Sequence, residues 1–404
     1  MIRALIIWTA AIMLAWFSFA TAISGISKNK APLLALSFEP VNGFALDTIV
    51  RSFLANEIGK NAGAFPASVS EVNRQMAIKA FVKEPTAKAA VAMLALSNTS
   101  VEGRRDLMKR AYALTRRETI VTGWMIADSG KNDDVNALLH HYDVTMRANS
   151  AVRDVMLRQL VALMPNDRFL EPMAKTLQGN PQWSDQFWNA ILRNKDALRN
   201  AVSLRGRLKG PALSIAKNYD EKLIDALTKD KFFNESLAFY QSLKQGGMAT
   251  KGIIASDFSN GPKYPPYDWK LTATGEYGAV IADDRMQYSA IPNSGGLFAR
   301  RLIRMTPGNY KLDVALDNPP QQGGLLFVKL RCAEKGFGNI VLLNMALKSA
   351  TLIERFSVSN AQCAFYWVEL TGVAEQAGLD VAFKKLAIID TSFQNSDLAG
   401  LGLK

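Results

Sequence analysis

Hydrophobic and polar positions follow three successive patterns along this chain. From Ala4 to Ile23 no charged residue occurs, and Ala, Ile, Leu, Trp and Phe dominate. As a helix rising about 1.5 Å per residue, that stretch spans roughly 30 Å, the thickness of a bilayer's hydrocarbon core. Apolar residues then recur at helical spacing, beginning with Phe44, Leu46, Ile49, Val50, Phe53 and Leu54. After Gly246-Gly247 the period changes to two. The pattern therefore predicts an α+β multidomain chain: an N-terminal membrane helix, an α-helical repeat domain and a C-terminal antiparallel β-sandwich or jelly roll. The expected boundaries are a membrane anchor or signal peptide over 1–23, a linker over 24–43 and the helical domain over 44–245. A second linker follows over 246–257, then the sandwich over 258–390 and a tail over 391–404.

Within the helical part, helices are expected at Phe44 to Ile58, Ser70 to Val82, Ala87 to Leu96, Val101 to Leu114, Glu118 to Ala127 and Asp133 to Arg147. Others follow at Ala151 to Leu163, Asp167 to Gln178, Asp196 to Leu204, Pro211 to Thr228 and Phe232 to Gln245. Leu94-Ala95-Leu96-Ser97 matches Ile126-Ala127-Asp128-Ser129 at an offset of 32, and Arg110-Ala111-Tyr112 matches His141-Tyr142-Asp143 at 31. In period and in small/large alternation these residues resemble tetratricopeptide-type repeats, over about a hundred residues. The resemblance implies an extended surface for protein partners. Trp183, Phe187, Trp188 and Ile191 form an aromatic stripe at helical spacing, which reads as packing between helices.

Nine strands are expected in the β part: Gly278 to Ile281, Met286 to Ala290, Gly296 to Arg304, Tyr310 to Leu316, Leu325 to Cys332, Ile340 to Met345, Thr351 to Val358, Cys363 to Leu370 and Asp380 to Ile389. Turns such as Thr306-Pro307-Gly308-Asn309, Asn318-Pro319-Pro320 and Gly323-Gly324 separate several of them. At its entrance stand Tyr264, Tyr267, Asp268 and Trp269, followed by Tyr277 and Tyr288. Rigid aromatics can stack on the apolar faces of sugar rings while a nearby Asp meets their hydroxyls. In outline the region resembles carbohydrate-binding modules of the jelly-roll kind, and that resemblance makes these six residues the candidate ligand site. The alternative is that Trp269 plugs the sandwich and Pro265-Pro266 stiffens the junction.

Charge and chemistry sharpen the picture. The net charge is +12, and only 15 Lys plus Arg against 14 Asp plus Glu follow Gly252, which leaves 33 against 22 before it. The excess is thus helical, and it interleaves with acids, as in Arg104-Arg105-Asp106 and Arg116-Arg117-Glu118. That is the signature of a solvated helix surface, so no nucleic-acid partner is expected; an acidic polymer or an anionic membrane face is compatible with it. Cys332 and Cys363 are the two cysteines. In an exported chain they are candidates for one disulfide, worth about 3 to 4 kcal/mol; two unrelated thiols are the other reading. Arg3 before the apolar run and Ala20-Thr21-Ala22 near its end suit a cleaved signal. The length of the run, with Trp8, Trp16 and Phe17, suits a retained anchor.

Catalytic groups are sparse. The two histidines, His140 and His141, are neighbours on one helix and point about 100° apart, which seldom serves one metal. No metal and no cofactor are expected. Asp283-Asp284 suits a hairpin turn better than an acid pair or a calcium site, and Gly246 to Gly252 lacks the order of a phosphate loop. The resulting expectation is a non-catalytic scaffold of the bacterial envelope. It would be single-pass in the inner membrane through residues 4–23, with its bulk in the periplasm, or soluble there after cleavage. It would assist assembly or export of a cell-surface polysaccharide, contacting envelope proteins through its helices. A glycan-degrading hydrolase or lyase, with carboxylates far apart in sequence, and a structural subunit of a secretion or surface assembly are the alternatives.

Overall fold

Twenty-six residues, Ile2–Ser27, form one unbroken helix, α1, in the computed structural model of this protein. Its stretch Leu5–Ser27 is long and apolar enough to cross a membrane. The structure describes residues 2–61, 64–66, 68–243, 258, 261–320, 324–334, 341–359 and 363–391. The expected linker 246–257 with its double glycine, Gly323, Ile340 and residues 392–404 of the tail lie outside these. Among the described residues fifteen α-helices precede ten strands arranged as two antiparallel sheets. Contacts group the chain into two units, Met1–Phe187 with Arg207–Ala212, and Trp188–Gly206 with Leu213–Lys404. This division lies upstream of the expected boundary at Gly246-Gly247.

In the first unit α1 is followed by α2 (Pro32–Phe38), α3 (Gly43–Lys60), α4 (Glu71–Lys83), α5 (Lys88–Leu96) and α6 (Val101–Leu114). Next come α7 (Thr119–Lys131), α8 (Val135–Ala148), α9 (Arg153–Leu163) and α10 (Leu170–Gln178). Residues 24–43 are helical over most of their length where a linker was expected. Pro32 sits in the first turn of α2, where a missing N–H costs nothing. Ser24, fully buried, donates to Glu39 at 2.8 Å, and Asn42 donates to both while its own oxygen caps α3 through the Ala45 amide. Ser70, Ser100 and Asp134 cap α4, α6 and α8 in the same way.

α5 is apolar on all sides and buried from Ala89 to Leu96 apart from Leu94, as a central helix must be. Its start offers only Ala87, so the cap arrives from elsewhere: Asp47 of α3 accepts from the Ala90 amide at 2.8 Å. Arg51 bridges Asp47 and Glu118. α5 and α7 begin 31 residues apart and α6 and α8 begin 34 apart, with α5 packing on α6 and α7 on α8 across a short turn. Trp183 donates its indole N–H to Asp143 at 2.9 Å and is buried with Phe187.

α11 (Ser184–Ile191) carries the division between the units. In the second unit α12 (Leu198–Arg207), α13 (Gly210–Lys217), α14 (Asp220–Lys229) and α15 (Phe233–Leu243) follow. The single helix expected at Pro211 to Thr228 is broken at Asn218-Tyr219. There Tyr219 turns inward to stack on Trp188 and to accept from Asn189. The strands are β1 (Lys270–Leu271), β2 (Tyr277–Ala282), β3 (Arg285–Ala290), β4 (Ser294–Arg304) and β5 (Gly308–Asp317). β6 (Gly324–Cys332), β7 (Val341–Ala346), β8 (Thr351–Val358), β9 (Phe365–Ala374) and β10 (Leu379–Asp390) complete them.

One sheet runs β1-β4-β9-β6-β7 and the other β2-β3-β10-β5-β8. Both send alternate residues into one core, among them Phe298, Val328, Leu330, Val368 and Leu370 from the first and Met286, Leu312, Val314 and Phe383 from the second. Asp283 and Asp284 both have positive φ, near 50° and 56°, and form the two-residue turn of the β2–β3 hairpin. Gly372 is required where it stands, since a Cβ there would lie 2.3 Å from the Tyr288 ring. Cys332 and Cys363 form a disulfide across 31 residues, worth about 3 to 4 kcal/mol by loop entropy.

His141 is buried on α8 with Nδ1 3.2 Å from the Tyr112 hydroxyl. Burial, and then the neighbouring His140, hold its imidazole below the ordinary value of 6.5. The folded protein therefore binds fewer protons there than the unfolded chain, so stability is lost as pH falls through 6.5 towards the folded value. A larger drop in melting temperature between about pH 7.5 and pH 5.5 is expected for the natural protein than for His141→Gln. Asp47 and Glu118, which burial raises, shift stability in the opposite direction but equally in both proteins. Identical drops would contradict the assignment.

Candidate functional site

The six residues expected at the sugar site do not form one exposed platform. Tyr267 is buried, and its hydroxyl donates to the Phe233 carbonyl at 3.0 Å. Asp268 accepts from the Tyr240 hydroxyl at 2.8 Å and from the amides of Lys263 and Tyr264. Tyr264, half-buried, meets Tyr240 edge-on. These residues bind α15 to the entrance of the sandwich. Trp269 lies in the sandwich core, 3% exposed, its indole N–H without a partner among the described residues. Tyr288 is 1% exposed; it stacks on Phe298 and donates to the Gly372 carbonyl, and burial pushes its phenol up to about 12. Tyr277 is half-buried with its hydroxyl over Gly296. Burial removes Tyr267, Trp269 and Tyr288 from any stacking role at the surface.

A different cluster faces outward from the sheet β1-β4-β9-β6-β7. Register aligns Lys270, Arg300, Glu369, Lys329 and Asn344 in one row across all five strands. The next row holds Leu302, Trp367 and Arg331, and on the other side stand Leu297, Thr371, Phe327 and Ala346. Each of these strands alternates: Val328, Leu330, Val368 and Leu370 fill the core, so Lys329, Arg331, Trp367 and Glu369 must face away. Trp367 is half-buried, like Tyr264 and Tyr277, with the Arg300 guanidinium 4.9 Å from its ring centroid. Arg331 binds Glu369 through two nitrogens, at 2.6 and 3.3 Å, which raises the already high Arg331 pKa.

Helices close one end of this face. Phe365 stacks on Phe233 with centroids 5.1 Å apart, and Lys231 donates to the Ala333 carbonyl at 2.9 Å. Along the β1 edge, Lys270 pairs with Asp225 of α14 and borders a cavity of about 620 Å³ that Glu221, Lys222, Lys229, Pro265 and Trp269 also line. Along the outward side of β9, Glu369 is 8% exposed beneath its cationic neighbours, Thr371 is half-buried and Val373 is 39% exposed. The arrangement offers one aromatic ring, fixed guanidinium donors and an amide on a flat surface, which suits binding of an extended polar chain. Sequence reading missed it because Lys270, Arg300, Lys329 and Trp367 are far apart along the chain. The signal available was the polar outward set of strands expected at Leu325 to Cys332 and Cys363 to Leu370. Among the described residues no cluster of His, Cys, Asp and Glu could hold a metal ion.

Neither a family model nor a curated protein matches this chain. Solved structures match in part. One described as "CBM4 structure and function" is 12% identical with a TM-score of 0.24, covering 34% of this chain and 97% of its own. A mutant of a family 29 carbohydrate-binding module is 7% identical with a TM-score of 0.23, covering 37% and 95%. Accessory secretory protein 1, 2 and 3 of Streptococcus pneumoniae is 13% identical with a TM-score of 0.20, covering 36% and 90%. At these values the likeness carries no argument about ligand or partner.

The two clusters should respond differently to truncation. Asp268→Ala strands the Tyr240 hydroxyl and two amides and is expected to cost about 2 to 4 kcal/mol in urea unfolding. Trp367→Ala, at an open face, is expected to cost about 1 kcal/mol or less. The reverse order would exchange the structural and surface roles given to these residues.

Proposed function

We propose that this protein is a membrane-tethered, non-catalytic binding protein of the bacterial envelope that holds a polysaccharide on the outward face of β1-β4-β9-β6-β7. The observation that carries this reading is half-buried Trp367, standing between Arg300 and Arg331 on a sheet face whose covered end is sealed by Phe233 and Phe365. Aromatic faces hold sugar rings through their C–H surface, and flanking guanidinium and amide donors meet the hydroxyls. Binding here would assist assembly or export of a surface glycan. Envelope protein partners would meet the helical unit, where exposed Val41, Val72 and Val82 line an apolar groove of about 740 Å³.

A retained anchor fits better than a cleaved signal. α1 continues unbroken past Ala22 to Ser27, with Ala20 and Ser24 buried and Trp16 and Phe19 in contact with Phe38 of α2. Here the Ala20-Thr21-Ala22 site is helical rather than extended, with Ala20 buried and Thr21 and Ala22 exposed.

Full-length protein in detergent is expected to be retarded in native gels by at least one bacterial surface polysaccharide, and Trp367→Ala to abolish the retardation with its melting temperature lowered by no more than a few degrees. Full retardation of the variant would overturn the site. Intact mass of protein from envelopes is expected to include residues 1–22; a mature start at Ile23 would overturn the tether.

A further inference from the structure

The outward face of β1-β4-β9-β6-β7 carries more positive charge than its own residues neutralise. Arg331 is matched by Glu369 and Lys270 by Asp225. No ion pair among the described residues engages Arg300, Arg304 or Lys329. The outward face of the other sheet is built differently. There Lys311 and Lys385 meet Asp313, and Arg285 and Lys384 meet Asp317. Each of those four cations thus has an aspartate partner, two to each carboxylate, whereas Arg300, Arg304 and Lys329 on the side that bears Trp367 have no ion pair among the described residues.

Placement makes the surplus specific. Arg300 and Lys329 flank Glu369 on the two adjacent strands. At about 4.8 Å per strand they stand roughly 10 Å apart, and the row from Lys270 to Asn344 runs for about 19 Å. Glu369 occupies the Arg331 fork, and Trp367 holds Arg300. Arg300 is therefore fixed before a ligand arrives, which lowers the entropy cost of binding. A planar guanidinium matches a carboxylate with two parallel hydrogen bonds. A neutral glycan would leave these cations unused, whereas a polymer with a carboxylate on each ring meets them while its rings rest on Trp367.

We infer that the ligand of this face is an acidic polysaccharide whose charges are carboxylates, that is, a uronic acid polymer lying across the strands along the Lys270 to Asn344 row. This rests on the polysaccharide-binding reading above and adds the charge class and the direction of the chain.

The test uses the full-length protein in detergent with polygalacturonate, its fully methyl-esterified form, and polyglutamate as a polyanion without sugar rings. Binding is expected to polygalacturonate, at least tenfold weaker to the ester, and reduced roughly tenfold by raising salt to about 0.3 M. Lys329→Gln is expected to weaken the acid form several-fold without changing the melting temperature, with Lys329→Arg restoring it. Equal binding of acid and ester would overturn the charge class while leaving polysaccharide binding intact. Equal binding of polyglutamate would overturn the sugar component. Failure of polygalacturonate alongside binding of a neutral surface glycan would overturn this inference only, and failure of every polymer would overturn both.

Discussion

The bracket around Asp268 is the constraint on which the second unit's surface depends. One carboxylate gathers the Tyr240 hydroxyl and two backbone amides, and beside it Tyr267 reaches the Phe233 carbonyl. Charged hydrogen bonds of this kind contribute about 1.5 to 3 kcal/mol each, and they fix α15 at the end of a sheet. With α15 in place, Phe233 covers Phe365 and the apolar end of the face is removed from water. What remains uncovered is the polar and aromatic middle. The surface is thus defined by what the helices leave open, and buried residues away from it set its limits.

Much of the fold was legible because its periods are long and regular. Alternation located nine strands within a few residues, and the tenth, Lys270–Leu271, is too short for any period to register. The helices were legible from apolar spacing, and Ser70, Ser100 and Asp134 cap three of them in the structure. The linker expected over 24–43 was misread for a physical reason. Its prolines suggest a break, yet Pro32 stands where a helix tolerates it, and the buried Ser24, Glu39 and Asn42 contacts come from residues up to 18 apart.

The site was less legible. The run Tyr264 to Trp269 is aromatic-rich, but sequence does not say which rings turn inward, and Trp269 and Tyr267 do so because the sandwich entrance and α15 leave apolar space for them. The open face has no local signature at all. Arg300, Lys329, Trp367 and Asn344 become neighbours only through the pairing of four strands. Alternation marks each of them as outward, whereas their common row is a property of register.

Register also gives the disulfide a meaning beyond stability. Cys332 ends β6 and Cys363 precedes β9, and the bonded pair of strands places Arg331 opposite Trp367. A slip of one residue between those strands would exchange their buried and outward sets. The covalent link excludes that slip, and it persists only where thiols are oxidised. A reduced chain has the same residues without that link, and the alignment of Arg331 with Trp367 then rests on the packing of Val328, Leu330, Val368 and Leu370 alone.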